Sequence, residues 1–484
     1  MLARAVTFAL EGLEPRRVEV EAHIDSGVPS FTLVGLVDRA CQEAKQRVRS
    51  GIKSAALEWP GNKSTVHLAP AELKKEGSGF DLPIALALLA ASGQIARDRL
   101  AEHAASGELA LDGRIRRVGG VLVVADGARR AGISKILCAP EACAEAALAG
   151  VQPVAVRHLA EAVAYLRGER EPAGWIRSNG RSRARPRDLA DVRGQERARR
   201  AVEIAASGRH NLLLAGPPGT GKTMLARRLP GILPPLDGAN ALEVTRIHSV
   251  AGLVDPDHPL IGEPPFRAPH HSASTAAIVG GGPRSRPGEA SLAHLGVLLL
   301  DELAEFQRPA LEALRQPLED GEITVARAAG SVRFPARFQL VGTMNLCPCG
   351  ARGDPGADCT CSPQRIASYR AKLSRALLDR FDLVVTVPRP RATELAGGVG
   401  EGSDPVRARV IAARLRLRTA APSRTRAADD LLTRAVERLP LSGRGRAKVA
   451  SVARTIAALA ESDAVLPEHV AEALAYRAPS ELAA

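Results

Sequence analysis

The stretch Asn211-Leu212-Leu213-Leu214-Ala215-Gly216-Pro217-Pro218-Gly219-Thr220-Gly221-Lys222-Thr223 decides the fold. Its first five residues are short and apolar, the pattern of a strand buried on both faces of a parallel sheet. A glycine-rich run follows at once, and Met224, Leu225 and Leu229 then continue with helical spacing. Strand, glycine loop and helix in that order make the Walker A arrangement. The glycines let main-chain N–H groups wrap a triphosphate, and the helix N-terminus turns its positive end toward it. Lys222 is placed to reach the β- and γ-phosphates, and Thr223 to hold Mg²⁺. The expectation is an α/β fold with a parallel sheet, helices on both faces, and ATP with Mg²⁺ as cofactors.

Two further strands belong to the same site. Val297 to Leu300 is apolar and ends in Asp301-Glu302. Downstream of a Walker A sequence, such a pair places one acid, Asp301, to hold Mg²⁺ through water, and the next, Glu302, to activate the attacking water as general base. Phe338 to Gly342 reads as a third strand, with Asn345 just past its end. A neutral amide there can position water beside the γ-phosphate, although an asparagine after a strand is also a common turn former.

Outward from this centre, residues 188–388 read as one domain, the P-loop core. Residues 1–166 read as a mixed α/β domain before it. Val18, Val20, Ala22 and Ile24 alternate with polar residues as in a half-buried strand. Val66 and Leu68 suggest another strand, Asp81 to Ser92 a buried helix, and Val121 to Ala131 a helix capped by Gly132. Residues 167–187 are rich in Arg, Pro, Gly and Ser and read as a basic linker. A second break covers 389–404. Residues 405–484 form a small domain, helix-patterned from Val406 to Tyr476.

The chain has 484 residues, 45% hydrophobic but only 3% aromatic, so its cores must be filled by Leu, Val, Ile and Ala. The apolar run Leu82 to Ala91 is too short to span a bilayer, no signal peptide is read, and the expected location is cytoplasmic. Net charge is +13. Between Arg167 and Arg200 there are 11 arginines against 5 acids, and between Pro405 and Ala460 there are 13 Arg or Lys against 3 acids. Such clusters suit a phosphate backbone, or else a solvated basic surface in an arginine-rich chain.

Four of the seven cysteines crowd into 347–361. Cys347, Cys349, Cys359 and Cys361 can close around a structural Zn²⁺ or remain free thiols; the C-x-C spacing is tighter than the usual C-x₂-C. The stretch lies just after Asn345 and would stiffen the loop there.

With these residues in view, the chain resembles the YifB/ComM family, the magnesium-chelatase-like branch of the AAA+ ATPases. The resemblance rests on VPSFTLVGL (28–36), FDLPIALALLAASG (80–93), GELALDGRIRRVGGV (107–121), FRAPHHSAS (266–274), PGEASLAHLGVLLLDEL (287–303), LLDRFDL (377–383) and VARTIA (452–457). It implies a Lon-protease-like N-terminal domain, an AAA+ core and a helical C-terminal lid. It also implies a homo-oligomeric ring, hexameric in the family's pattern, with ATP bound between subunits. On that pattern Asn345 resembles the sensor-1 residue. Arg380 resembles the arginine finger, with Arg375 as the competing candidate, and Arg444 resembles the sensor-2 arginine. Cations there would offset charge on the transferring phosphoryl group. Gly321 to Phe334 fits the hairpin that enters the pore in related motors. Ile323, Val325, Val332 and Phe334 would form its arms and Arg327 and Arg333 would meet phosphates; the other reading is a hairpin packed on the core. His270-His271 carries no assigned role.

A Lon-like fold raises the question of peptidase chemistry. Gly79 falls where the Lon serine belongs and Leu122 where its lysine belongs, with Ser78 one residue away. A serine without a base in reach is a weak nucleophile, so the domain is read as non-catalytic. The resemblance implies a DNA motor of the ComM type, a helicase or branch-migration translocase on single-stranded or branched DNA. A chelatase-like motor and a protein-remodelling ATPase remain the alternatives.

Overall fold

The architecture is taken from a computed structural model, which describes residues 1–172, 174–175, 187–282, 286–327, 330–396, 398–439 and 441–477. Most of the stretch expected to be a basic linker, and the side chain of Arg327, lie outside the described residues.

The apolar run before the glycine loop forms the strand Leu212–Ala215, buried at every position. It sits inside a five-stranded sheet ordered Phe266–Arg267, Val297–Leu300, Gln339–Met344, Leu212–Ala215, Leu383–Thr386. All four pairings are parallel. Helices cover both faces, which is why these strands read as continuous apolar runs without alternation. One polar residue inside them, Gln339, is satisfied by donating Nε2 to the carbonyls of Ala205 and His210 at 3.0 and 2.7 Å. The register pairs Ala215 with both Met344 and Thr386, so three strands end level; the strand ending at Leu300, opposite Gly342, stops two residues short of them, and the following loops converge. Crevices at such strand ends are where open α/β sheets bind ligands.

The N-terminal region is built on a second, mixed sheet of seven strands. Its long hairpin, Leu2–Glu11 and Glu14–Asp25, pairs antiparallel through all ten residues of the first strand. The helix Asp81–Ala91 is buried on all sides beneath it. Its one acid, Asp81, accepts from Arg47 Nε at 2.6 Å and from the Leu109 N–H at 3.2 Å. The expected strands near 18–24 and 63–69 and the helix from Val121, with Gly132 at φ +77°, are present.

After residue 403 the chain forms helices Ser403–Thr419, Arg426–Arg438, Gly443–Leu459 and Pro467–Ala475. A short parallel pairing of Ser423–Arg424 with Ala464–Val465 interrupts the all-helical pattern. Such two-residue pairings carry no readable alternation. Val406, Val410, Val452 and Ile456 pack in one cluster with Leu212, Leu214, Leu383 and Val385, so these helices share a core with one face of the parallel sheet.

The N-terminal sheet also docks on the P-loop region. The Gly120 N–H donates to the Ser249 carbonyl at 2.7 Å. Ser249 Oγ donates to the buried Glu145 carboxylate at 2.5 Å, and Arg246 pairs with Asp126 at 2.6 Å. The stretch 321–334 is a hairpin, Glu322–Arg327 with Gly330–Pro335. Ile323, Val332 and Phe334 are buried, and Val332 lies against Gly12, where an added β-carbon would meet its Cγ1 at 2.4 Å. Of the two readings of this hairpin, its arms fit packing on the core. Arg333 is exposed, 3.8 Å from Glu322.

Candidate nucleotide site

The glycine loop occupies the crevice where the three level strands end. Gly219 and Gly221 adopt φ +75° and +90°, left-handed conformations that favour glycine. Gly216 is required for a different reason, since a β-carbon there would meet the Val387 carbonyl at 2.2 Å. Thr220 Oγ1 donates back to the Pro217 carbonyl at 3.0 Å, closing the loop. Pro218 is the loop residue approached by the cysteine segment, described below.

Lys222, at the start of the helix Lys222–Ala226, donates Nζ to the carbonyls of Gly216 and Pro217, both at 2.7 Å, and to Asn345 Oδ1 at 3.2 Å. Burial pushes its ammonium down to about 8, against the pull of Asp301 and Glu302. Thr223 Oγ1 donates to Asp301 Oδ1 at 2.8 Å. A hydroxyl and a carboxylate oxygen side by side are hard oxygen donors, the type Mg²⁺ takes together with phosphate oxygens. Thus Lys222, Thr223, Asp301 and Asn345 are brought together from the ends of three strands.

Sequence reasoning missed Thr343. Its hydroxyl donates to Asp301 Oδ1 at 2.6 Å and accepts from the Glu302 N–H at 3.0 Å. It stands two residues before Asn345, and a polar residue at the end of an otherwise apolar strand was the available signal. Glu302 itself adopts φ +55°, unusual for a residue with a side chain. Backbone strain of this kind gathers at functional sites and costs about 1–3 kcal/mol. Gln195 was also missed. It bridges the loop to the last strand, donating Nε2 to the carbonyls of Pro388 and Thr220 at 2.6 and 3.4 Å. His271 Nδ1 lies 3.7 Å from Glu302 Oε2, and His270 stacks on His271 with centroids 4.1 Å apart.

The two family-suggested arginines lie together but not on the P-loop residues of their own chain. Arg380 is largely buried and pairs with Glu319. Arg444, exposed, reaches the same Glu319 oxygen at 3.4 Å. Burial lowers the Arg380 pKa, and nearby Arg444 and Arg315 lower it further.

The four cysteine sulfurs converge within 4.8 Å of one another. Sγ–Sγ separations are 3.4 Å for Cys347–Cys349, 3.7 Å for Cys349–Cys359 and 3.6 Å for Cys347–Cys359. The Arg352 N–H donates to Cys347 Sγ at 3.3 Å.

The strand order, the glycine loop and the acid pair together define a P-loop nucleotide-binding protein of AAA+ type. Three regions match the magnesium chelatase subunit ChlI families. Residues 188–395 match "Magnesium chelatase, subunit ChlI", residues 20–142 match "Subunit ChlI of Mg-chelatase", and residues 400–477 match its C-terminal family. The chain is 42% identical to the uncharacterized protein YifB of Escherichia coli over 490 residues, 98% of this chain and 96% of that one. It is 40% identical to the competence protein ComM of Haemophilus influenzae over 504 residues, 99% and 97% of the two chains. An uncharacterized Mycobacterium tuberculosis protein is 49% identical over 415 residues, 85% and 82% of the two chains. The chain belongs to the YifB/ComM family of magnesium-chelatase-like AAA+ proteins. Among the described residues, no helix is long and apolar enough to cross a membrane.

Proposed function

We propose that this protein is a cytoplasmic ATP-hydrolysing ring motor that acts on single-stranded or branched DNA. The observation that carries the ATPase half is Asp301, held between the hydroxyls of Thr223 and Thr343 while Lys222 reaches the Asn345 amide across the crevice. Lys222 and the main-chain N–H groups of Gly219 to Thr223 bind the triphosphate. Thr223 and Asp301 would hold Mg²⁺, which would supply positive charge to offset that of the phosphates. Asn345 orients a water, and Glu302 takes its proton as the oxygen attacks the γ-phosphorus. The bond to the bridging oxygen then breaks, and ADP and phosphate leave.

In this reading the subunits form a hexamer, Arg380 reaches the γ-phosphate bound to a neighbour, and Arg444 acts from a helical lid formed by residues 405–484. Residues 1–166 are a Lon-like but non-catalytic domain. Leu122 has no basic atom and Lys75 donates to the Pro70 carbonyl, so neither serves Ser78 as a base. The DNA half draws on the relation to the competence protein and on the exposed Arg333. The four thiols take a structural zinc.

The test is ATP turnover by the pure chain with and without forked, single-stranded and duplex DNA, beside Glu302→Gln. Turnover should rise with DNA, and the variant should lose about 10²–10⁴-fold while still binding nucleotide. A flat response to every DNA form would remove the DNA reading, and full turnover in the variant would remove the ATPase mechanism.

A further inference from the structure

The cysteine segment does more than close on itself, because it is wrapped against the nucleotide loop. Cys347 lies two residues beyond Asn345, whose amide accepts from Lys222 at 3.2 Å. Gly350, at φ +83°, sits so close to Pro218 that an added β-carbon would meet the proline Cδ at 3.0 Å. Further along, Asp354 pairs with Arg389 at 3.1 Å, next to Pro388, whose carbonyl takes the Gln195 amide that also reaches Thr220. The same short segment therefore touches the triphosphate loop at Pro218, continues directly from Asn345, and is tied to the last strand's exit.

Its own internal order comes from the thiols. Tetrahedral zinc with Zn–S near ~2.3 Å places its sulfurs ~3.8 Å apart. The separations of 3.4 to 3.7 Å are within a few tenths of that. The Arg352 N–H to Cys347 Sγ bond is the kind of contact that orients a thiolate ligand. Between Cys349 and Cys359 the chain has no helix or strand, only turns, so little else fixes its course.

We propose that zinc held by Cys347, Cys349, Cys359 and Cys361 is a brace on the nucleotide site, setting Pro218 and Asn345 together so that the metal governs ATP binding and turnover. This rests on the zinc and ATPase readings above. Ligands from two C-x-C pairs lock the segment to the end of the strand Gln339–Met344, and through Gly350 the locked segment holds Pro218 in place.

The experiment uses the full chain in three forms: unchanged, Cys359→Ser/Cys361→Ser, and Gly350→Ala. Zinc content is measured by atomic emission, nucleotide affinity with a fluorescent ATP analogue, turnover by phosphate release, and folding by circular dichroism. The unchanged chain should hold one zinc per chain. The double serine variant should keep its helical spectrum, lose zinc, and lose about tenfold in turnover, the usual cost of removing an orienting shell. Gly350→Ala crowds Pro218 and also strains the turn at φ +83°, so zinc is measured beside affinity; zinc should stay and nucleotide binding should weaken. Zinc-free unchanged protein overturns the proposal together with the zinc reading. Zinc that can be removed with affinity and turnover unchanged overturns the brace alone. Absence of hydrolysis in the unchanged chain would count against the ATPase reading; the brace would then stand or fall on the affinity of the two variants.

Discussion

At the scale of single residues, the site is a set of short contacts around two charges. Lys222 sits at about 8 because burial outweighs the two acids, while phosphate favours the ammonium form. Above pH about 8 the lysine must therefore take up a proton when nucleotide binds. Affinity should weaken there by up to about tenfold per pH unit. Calorimetry in buffers of different ionisation enthalpy should detect the proton uptake above pH 8 and little of it near pH 7. Thr343 makes the second residue-scale prediction. Thr343→Val removes a hydrogen bond to Asp301 and leaves the Glu302 N–H without its acceptor. Turnover should fall about tenfold with nucleotide affinity little changed, measured by phosphate release and titration. That Lys222, Thr223 and Asp301 would meet was legible from type and spacing, because the glycine loop and the acid-ended strand of a P-loop sheet stop side by side. Thr343 was not, since its role depends on strand register, which only the folded sheet sets.

At the scale of elements, the buried His210 joins the parallel sheet to the C-terminal helices. Its Nε2 meets Thr455 Oγ1 at 2.8 Å, and it stands two residues before the strand Leu212–Ala215. Burial pushes its pKa down to about 4 from an ordinary 6.5. A histidine lowered on folding contributes stability that is present above its unfolded value and lost as pH falls through its folded one. The urea midpoint should therefore drop as pH is lowered from 6.5 toward 4, and His210→Gln should flatten that part of the profile. The strands with continuous apolar runs and the helix Asp81–Ala91, apolar at every position after its first, were readable because all their faces are covered. The short parallel pairing of Ser423–Arg424 with Ala464–Val465 was not, because two residues carry no periodicity. The hairpin at 322–335 was placed correctly, but which of its faces is covered depends on Gly12, more than three hundred residues away.

At the scale of the whole molecule, much of the arginine excess turns inward. Arg199 donates to the carbonyls of Leu189, Val192 and Glu401, and Arg414 to that of Ala206. Arg409 pairs with Glu203 and Glu401, and Arg407 with Glu263. Not every arginine of the basic clusters read along the sequence is therefore free to meet a polyanion. In the ring we propose, Lys222 serves its own subunit and Arg380 the next. Lys222→Ala and Arg380→Ala chains should each be nearly inactive alone, yet mixing them should restore part of the turnover. No recovery on mixing, in chains that co-assemble by light scattering, would place Arg380 in its own subunit's site or outside the chemistry.

The turn at Gly12 fits over Val332 because no β-carbon stands between them. Any shift of the hairpin arm at Val332 must therefore rock the turn that joins the two long N-terminal strands, as a tiller moves its rudder.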